Sequence, residues 1–325
     1  MRPAAPLPDP LLATARAQAG LLDAQQCDAA GVTSARRAAL RRAGVLLPVV
    51  TGVHDAAPSL DEAAEGDRVR WAGDLLRHGR RRAAWSALLA LGRTRAVAVS
   101  TCALALLDVE GLPTRVRPEA ALLDGSHRAP GGGIRVRCVR PGEVRRVGTA
   151  LVVDPREALA QAVCELDREH AVAVLDSAVQ RRVVDADDLA TVRRLVRGRR
   201  GSRRTVDWWA LVDGRAQSPL ETWARLQCGD AGVPPHDLQV PVRDRDGRVI
   251  ARGDMGWWLP AGGLLVAEID GAGPHGAPDA LFRDRQRQNA VVATGTLMLR
   301  FTAADLRAGR VAASVSRHLA PARPG

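Results

Sequence analysis

Three carboxylates and one imidazole lie close together in one part of this sequence. Asp254 comes first, Glu268 and Asp270 follow in one apolar run, and His275 lies a few residues further on. Carboxylate oxygens suit magnesium, which keeps several of its waters when it binds a protein. One such water becomes a nucleophile when a neighbouring group accepts its proton, and an imidazole can do this. These residue types therefore indicate metal-dependent cleavage of phosphodiester bonds.

A buried strand over residues 264–269 would position two of these acids. Side chains alternate along a strand, so Glu268 and Asp270 are expected on one face. A hairpin neighbour can bring Asp254 alongside them. Acids flanked by apolar strands cost free energy unless a cation or protons compensate the charge.

The elements around this strand can be predicted from turn and capping signals. A helix begins at residues 218–221 and runs to about residue 231, and a hairpin turns at residues 244–247. An arginine-rich helix over about 279–294, a strand over 296–301 and two short helices follow. The predicted order is α-β-β-β-α-β-α.

This order and these residues resemble the PD-(D/E)xK nuclease fold, specifically the very-short-patch-repair-like (Vsr-like) endonucleases. The likeness covers about residues 213–319. Its matching points are Ser218-Pro219-Leu220-Glu221, the hairpin, Asp254, Glu268-Ile269-Asp270-Gly271, His275, Arg283-Asp284-Arg285-Gln286-Arg287, Gly295 and Leu299-Arg300-Phe301-Thr302. The resemblance implies a restriction-endonuclease-like αβββαβ core that cleaves DNA with Mg²⁺ or Mn²⁺.

Roles for single residues follow from this resemblance. It implies that Asp254 and Glu268 bind the metal, and that Glu221 is an accessory acid. It makes His275 the general base or a phosphate contact. Arg283 and Arg287, one helical turn apart, would steady the scissile phosphate.

Two departures from the family pattern bear on activity. The chain contains no lysine, and Asp270 stands where the fold usually has one. Gly253 replaces the proline before the first acid. Simpler interpretations also exist: Glu221 has capping-box spacing from Ser218, and His275 lies in a glycine- and proline-rich loop.

The first part of the chain reads as three short helices and a β-ribbon. Helices are predicted over residues 10–19, 23–30 and 33–43, with a strand over 45–50 and a turn near residues 51–52. This is the order of a winged helix-turn-helix. The third helix carries basic side chains that would face DNA phosphates and base edges, or form a solvated basic face: Arg36, Arg37, Arg41 and Arg42.

This region resembles the N-terminal winged helix of AbiEi-type antitoxins, which binds promoter DNA and represses its own operon. The likeness rests on residues 17–26, 30–32 and 40–45, ending at Gly52-Val53-His54. Residues 61–180 are α/β in pattern and resemble the middle region of the same proteins, with Ser100-Thr101-Cys102-Ala103-Leu104-Ala105 at the matching point. The resemblance implies DNA as a partner and allows for a partner toxin.

The composition limits the class of protein and its surroundings. The 325 residues carry a formal net charge of +11, and 46% of them are hydrophobic. GC-rich coding accounts for arginine in place of lysine, but the excess of base over acid favours a polyanionic partner. Five widely spaced cysteines argue against a zinc site or a disulfide framework. No signal peptide or membrane span is recognisable, so we expect a cytoplasmic protein with no membrane partner.

The sequence thus predicts an α/β chain, α+β overall, in four parts. These are a winged helix-turn-helix (1–57), an α/β middle region (58–192), an arginine-rich linker (193–212) and a Vsr-like endonuclease-fold domain (213–325). The linker is either a solvent-exposed run of charged residues or a connection between two nucleic-acid-binding domains that contacts the phosphates of the nucleic acid. The main expectation is a DNA-binding, metal-dependent endonuclease. The alternatives are a non-catalytic repressor or antitoxin of a type IV toxin–antitoxin-like system and an RNA-processing or defence nuclease.

Overall fold

The computed structural model describes residues 6–62, 75–127, 131–260, 262–270 and 290–320. It confirms a mixed α/β chain, with helices and three sheets along its described length. The chain forms two compact units, Met1–Leu166 with Val183–Arg204, and Asp167–Arg182 with Thr205–Gly325. The second unit therefore includes residues that the sequence had placed in the middle region and the linker. Nowhere in the described ranges is a helix long and apolar enough to cross a bilayer.

The first unit begins with a small helical bundle and a three-stranded sheet. Its elements are α1 (Asp9–Ala17), β1 (Leu21–Asp23), α2 (Ala24–Ala29), α3 (Ser34–Arg42), β2 (Leu47–Val50), β3 (Val53–Asp55) and α4 (Ala57–Glu62), and the sheet order is β1-β3-β2. Asp23 and Gln26 form a capping box at α2, and Thr33 caps α3. The helices and the β2–β3 ribbon follow the predicted order. Strand β1 was not predicted, because three residues are too few to show an alternating pattern.

The rest of the first unit is a five-stranded sheet with helices packed on it. Its elements are α5 (Leu75–Leu91), β4 (Ala96–Ala98), α6 (Ser100–Leu106), β5 (Glu119–Leu122), β6 (Arg135–Arg137), β7 (Val144–Val147), β8 (Ala150–Val153), α7 (Pro155–Val163) and α9 (Asp188–Val196), and the sheet order is β6-β5-β4-β8-β7. Strands β4 and β5 are buried along their whole length. Such strands read as continuous apolar runs rather than alternating ones.

The second unit combines α8 (Arg168–Gln180) with the C-terminal part of the chain. Its other elements are α10 (Pro219–Asp230), β9 (Asp237–Arg243), β10 (Val249–Trp258), β11 (Leu264–Asp270), β12 (Leu297–Thr302), α11 (Ala303–Arg307) and α12 (Arg310–Leu319). The sheet order is β12-β11-β10-β9, with β11 and β12 parallel and the other pairs antiparallel. The predicted helix over 279–294 lies largely outside the described residues.

Two apolar clusters cover the two faces of this sheet. Met255, Trp257 and Ala267 belong to the cluster under α10 and α12. Val240 and Val266 belong to a smaller cluster, and Val266 alternates with Ala267 along β11, so this cluster covers the opposite face. The sheet is therefore buried on both sides around the predicted acidic residues.

A buried acid links α8 to α10 within the second unit. Asp176 is 1% exposed, and its carboxylate accepts hydrogen bonds from the Thr222 hydroxyl (2.8 Å), the Arg225 guanidinium (2.7 Å) and the Asp213 backbone N–H (2.7 Å). Burial raises the pKa of Asp176 to about 6, although the Arg225 charge opposes this shift. This network explains why α8 belongs with the C-terminal elements, which no local pattern in the sequence indicates.

Candidate active site

Asp254 lies where strands β10 and β11 stop pairing. The last regular pair on this side of the ladder is Met255 with Ala267. Beyond it, the Asp254 carboxylate accepts a hydrogen bond from the Ile269 backbone N–H, with 2.7 Å between Oδ2 and N. A side chain thus replaces the backbone partner that Ile269 would otherwise need. The Asp254 carboxylate is held between the two strands as they separate.

A change of face in β9 and β10 explains this position. Leu238 packs in the cluster under α10, but Val240, two residues later, packs in the cluster on the other face. Gln239 between them has φ +54°, a left-handed backbone conformation that interrupts the alternation of side chains, although β9 and β10 keep the same register on either side of it. On β10, Ala251 and Met255 also pack on opposite faces, although they are four positions apart and regular alternation would place them on the same face. Asp254 lies within this second change of face.

Glu221 joins the site from the first turn of α10. The Ser218 hydroxyl accepts the Glu221 backbone N–H (3.3 Å), so the helix is capped as the sequence spacing predicted. The Glu221 carboxylate does not close a capping box on Ser218. Its Oε2 instead accepts the Gln217 backbone N–H and the Gln239 amide, each at 2.9 Å. The Gln239 amide therefore holds the Glu221 carboxylate, and the negative charge of this carboxylate raises the pKa of Asp254.

Glu268 is buried in β11 and paired with a cation on the next strand. Only 8% of the residue is exposed. The parallel register places Arg300 of β12 beside it, and the Arg300 Nε donates to Glu268 Oε2 at 3.0 Å. Asp270 follows on the same strand and is exposed at its end. The sequence indicated Arg300 only as part of the matching segment Leu299-Arg300-Phe301-Thr302, because its pairing with Glu268 depends on the register of two strands that are distant in sequence.

The charges of these acids influence one another. The pKa of Asp254 is raised to about 7, first by burial and then by the negative charges of Glu221, Glu268 and Asp270, while the Ile269 N–H lowers it. Burial also raises the pKa of Glu221. The fold therefore brings together the four acids that the sequence singled out. Their mutual repulsion favours a bound cation or a bound proton.

The carboxylate oxygens of this site suit a magnesium ion that has few protein ligands. Within the described ranges, no group of three histidine, cysteine, aspartate or glutamate side chains is arranged to hold a metal. Magnesium commonly binds through one or two carboxylates and completes its shell with waters and substrate phosphates. Asp254 and Glu268 supply the right oxygen atoms in a site where negative charge is already unfavourable. His275, Arg283 and Arg287 lie outside the described residues.

The predicted DNA contacts on α3 have different surroundings. Arg37 is largely buried, and its guanidinium donates to the Asp28 carboxylate (2.5 Å) and the Val32 carbonyl (2.8 Å). It therefore ties α3 to α2. The Arg36 guanidinium donates to the Pro6 carbonyl (2.8 Å), whereas Arg41 is exposed to solvent. Of the four basic side chains predicted to face DNA, Arg41 and the equally exposed Arg42 are the best placed to meet a ligand.

Comparison with known proteins gives relatives but no activity. No protein-family profile matches the chain. It is 30% identical over 201 residues to "Uncharacterized protein MT2308" of Mycobacterium tuberculosis strain CDC 1551 and to "Uncharacterized protein Rv2248" of strain H37Rv. Each match covers 61% of this chain and 73% of the mycobacterial protein. The chain therefore belongs to the same protein family as these two mycobacterial proteins.

Proposed function

We propose that this protein binds DNA and hydrolyses its phosphodiester bonds in a reaction that depends on Mg²⁺ or Mn²⁺. The observation that carries the proposal is the convergence of Glu221, Asp254 and Glu268 at the place where β10 and β11 separate. Structural acids are usually spread over the surface or paired one to one. Here three come from three different elements, and their charges oppose the ionisation of Asp254.

Each residue has a distinct part in the proposed reaction. Asp254 and Glu268 would hold the metal ion, which supplies charge neutralisation and an acidified water when bound. The Ile269 N–H and the Arg300 guanidinium fix the orientation of these two carboxylates. Glu221, held by the Gln239 amide, adds negative charge beside Asp254.

Arg300 is the residue that could replace the lysine that this chain lacks. A nuclease of the proposed type needs a cation close to the reacting phosphate, since negative charge builds up there during cleavage. Arg300 places a permanent positive charge against Glu268, on the strand next to the one where the resemblance would put lysine. In this proposal it takes over the role of that lysine, while Asp270 occupies the lysine's position.

The experiment is cleavage of supercoiled plasmid and labelled oligonucleotides by the purified full-length protein. Cleavage is measured with Mg²⁺, with Mn²⁺ and with EDTA, for the wild type and for Glu268→Gln. The control is Asp246→Asn, which removes an exposed acid from the β9–β10 turn. We expect metal-dependent nicking that Glu268→Gln reduces by about 100-fold or more and that the control retains.

Metal binding is measured separately from cleavage. A ligand that binds only the folded state at 100 times its Kd stabilises that state by about 2.7 kcal/mol. We therefore expect Mg²⁺ to raise the melting temperature of the wild type and of Asp246→Asn, but not that of Asp254→Asn. Equal shifts in all three proteins would contradict a metal site at Asp254.

A non-catalytic DNA-binding regulator is the second candidate. The observation in its favour is the Glu268–Arg300 pair, which already neutralises one proposed metal ligand in a chain without lysine. In this case the protein would act as a repressor or antitoxin, as its likeness to AbiEi-type proteins implies, and an antitoxin would have a toxin as its partner. Salt-sensitive DNA binding without cleavage in either metal would support this function over the first.

A further inference from the structure

The strongest positive charge that the proposed site leaves unused lies on one short segment of the first unit. Between residues 193 and 204 the chain has seven arginines and no acidic residue. In the structure, Arg193, Arg197, Arg200 and Arg203 are exposed. None of these four makes an ion pair with a carboxylate of the described residues. We call these four side chains the arginine cluster.

Several arginines in other parts of the protein are neutralised by a nearby carboxylate. Arg82 pairs with Asp55, Arg137 with Glu119, and Arg156 with Asp154, each with less than 3 Å between nitrogen and oxygen. The arginine cluster differs in its density, because four exposed arginines without such a partner among the described residues lie within residues 193–203. Uncompensated like charges repel one another and destabilise the compact state. A polyanionic ligand would remove this repulsion.

Helix geometry accounts for only part of the charge. The acids of this region lie at the start of α9, where Asp185 accepts the Asp188 backbone N–H and Asp188 pairs with Arg156. Cations near a helix C-terminus are favourable because they interact with the helix dipole. This effect extends over the last turn and covers Arg193. Arg200 and Arg203 lie beyond the helix, so the dipole does not explain them.

The backbone of this segment is held against the rest of the first unit. Gly201 has φ +92°, and a Cβ atom there would lie 2.2 Å from the Cys164 carbonyl oxygen, so its backbone packs directly on that residue. The Arg204 guanidinium donates to the Cys164 carbonyl (3.0 Å) and the Leu166 carbonyl (3.2 Å). Because the backbone is held in place, the arginine cluster loses little conformational freedom when it binds a ligand.

The chemistry of the surface favours a phosphate backbone over other polyanions. Arginine forms two parallel hydrogen bonds with phosphate. Specific protein partners are usually held by Trp, Tyr or Arg anchors that are desolvated in well-packed pockets at the centre of the interface. Residues 193–204 contain no aromatic residue, and Leu195, 38% exposed, is the large apolar side chain that they expose. A membrane-surface helix would also need a broader apolar face.

We infer that the arginine cluster is a DNA-backbone-binding surface, separate from the winged helix. This inference rests on the proposed function, because it takes DNA as the ligand. It adds a sequence-independent contact that increases affinity and its dependence on salt. The surface contacts phosphates and does not read bases.

The test compares two variants that lose the same charge. The cluster variant is Arg193→Ser with Arg197→Ser and Arg200→Ser. The control is Arg115→Ser with Arg117→Ser and Arg146→Ser, three exposed arginines elsewhere in the first unit. Binding to a fluorescent 30-base-pair duplex is measured in EDTA at several salt concentrations, so that cleavage does not contribute. Melting temperatures check that all proteins are folded.

Each phosphate contact contributes about 0.9 to the slope of log K against log salt. We expect the cluster variant to lose about 2 to 3 from this slope and to bind at least 10-fold more weakly at about 0.1 M salt, with the control close to wild type. Replacing the same three residues with lysine should keep the slope. Equal slopes in the cluster variant and the control would overturn the inference, as would the absence of duplex binding by the wild type.

A competition experiment identifies the class of ligand. The two competitors are compared at equal concentrations of negative charge. Unlabelled duplex should displace the fluorescent duplex from the wild type at a much lower concentration than poly-glutamate does. Equal competition would overturn the assignment to DNA and favour an acidic protein partner. Cleavage plays no part in these measurements. If the wild type cleaves no DNA but the cluster variant still shows the smaller salt slope, the nuclease proposal is refuted and the inference about the arginine cluster stands.

Discussion

At the scale of single residues, the environment of Asp254 explains most of the site's chemistry. The carboxyl group is partly buried, bonded to one backbone N–H, and surrounded by the charges of Glu221, Glu268 and Asp270. An acid in these surroundings holds its proton to a higher pH than in the unfolded chain. The same surroundings would favour a divalent cation once the proton leaves.

The first prediction concerns the effect of Asp254 on stability. The folded protein keeps the Asp254 proton up to a pKa of about 7, whereas the ordinary value is 3.8. The folded state therefore binds more protons between these values, and stability falls as pH rises through this window. Without metal, Asp254→Asn should be more stable than wild type by about 2 kcal/mol at pH 8 and equal to it near pH 3.5.

Urea denaturation of both proteins at pH 3.5, 5.5 and 8 measures this difference. Asp246→Asn is the control, since its exposed carboxyl group should change stability little at any of these values. A difference between Asp254→Asn and wild type that does not depend on pH would contradict the assigned environment.

The second prediction separates two arginines of α3. Arg37→Ala removes a buried guanidinium that bonds to Asp28 and Val32, so it should lower the free energy of unfolding by about 1–3 kcal/mol. Arg41→Ala removes an exposed side chain and should change stability by less than about 0.5 kcal/mol. If α3 contacts DNA, Arg41→Ala should also lower the salt slope of DNA binding by about 1. Denaturation curves and duplex titrations of both variants check this, and a stable Arg37→Ala would contradict the assigned contacts.

At the scale of elements, the site depends on the change of face in β9 and β10. The left-handed conformation of Gln239 and the separation of β10 from β11 interrupt the alternation of side chains around Asp254. Gly253 makes this path possible, because a Cβ atom there would lie 2.5 Å from the Val266 Cβ. A proline in its place, as the nuclease family has, would meet the same obstruction unless the strands moved.

The third prediction follows from this close approach. Gly253→Ala should destabilise the protein by about 1–3 kcal/mol, because Val266 is fully buried and has little room to move. The control is Gly229→Ala in α10, where an added Cβ would meet no atom within 4 Å. That change should be neutral or stabilising by up to about 1 kcal/mol, since alanine favours a helix more than glycine does. Thermal unfolding of both variants measures the contrast, and a tolerated Gly253→Ala would show that the strands can separate at this point.

At the scale of the whole molecule, the thiols report on how the chain is packed. Cys27, Cys102, Cys164 and Cys228 are buried, and Cys138 is exposed. Burial raises the pKa of Cys27 to about 11 and that of Cys228 to about 12, and it also raises the pKa values of Cys102 and Cys164. A thiol that stays protonated and shielded reacts slowly.

The fourth prediction is therefore a count of reactive thiols. Ellman's reagent at pH 8 should label one thiol quickly in the native protein and five after denaturation in guanidinium. Cys138→Ser should abolish the fast phase while leaving four thiols in denaturant. Two or more fast thiols in the native wild type would contradict the packing of either unit.

Local pattern in the sequence determined the elements and the chemistry of their residues. Capping signals located α2, α3 and α10, the hairpin turn located β9 and β10, and period-two spacing assigned Glu268 and Asp270 to one strand. These features depend on neighbours within a few residues, so they can be read along the chain. The choice of Asp254, Glu221 and Glu268 as candidate site residues also came from the sequence.

The tertiary structure alone decided which groups meet. Arg300 reaches Glu268 through a parallel pairing of strands that are distant in sequence, and α8 joins the second unit through Asp176 and Arg225. The role of Arg37 within the bundle and the fixed backbone beneath the arginine cluster also depend on long-range contacts. Such contacts depend on which surfaces the folded chain buries together, and this is not encoded in the spacing of any short segment.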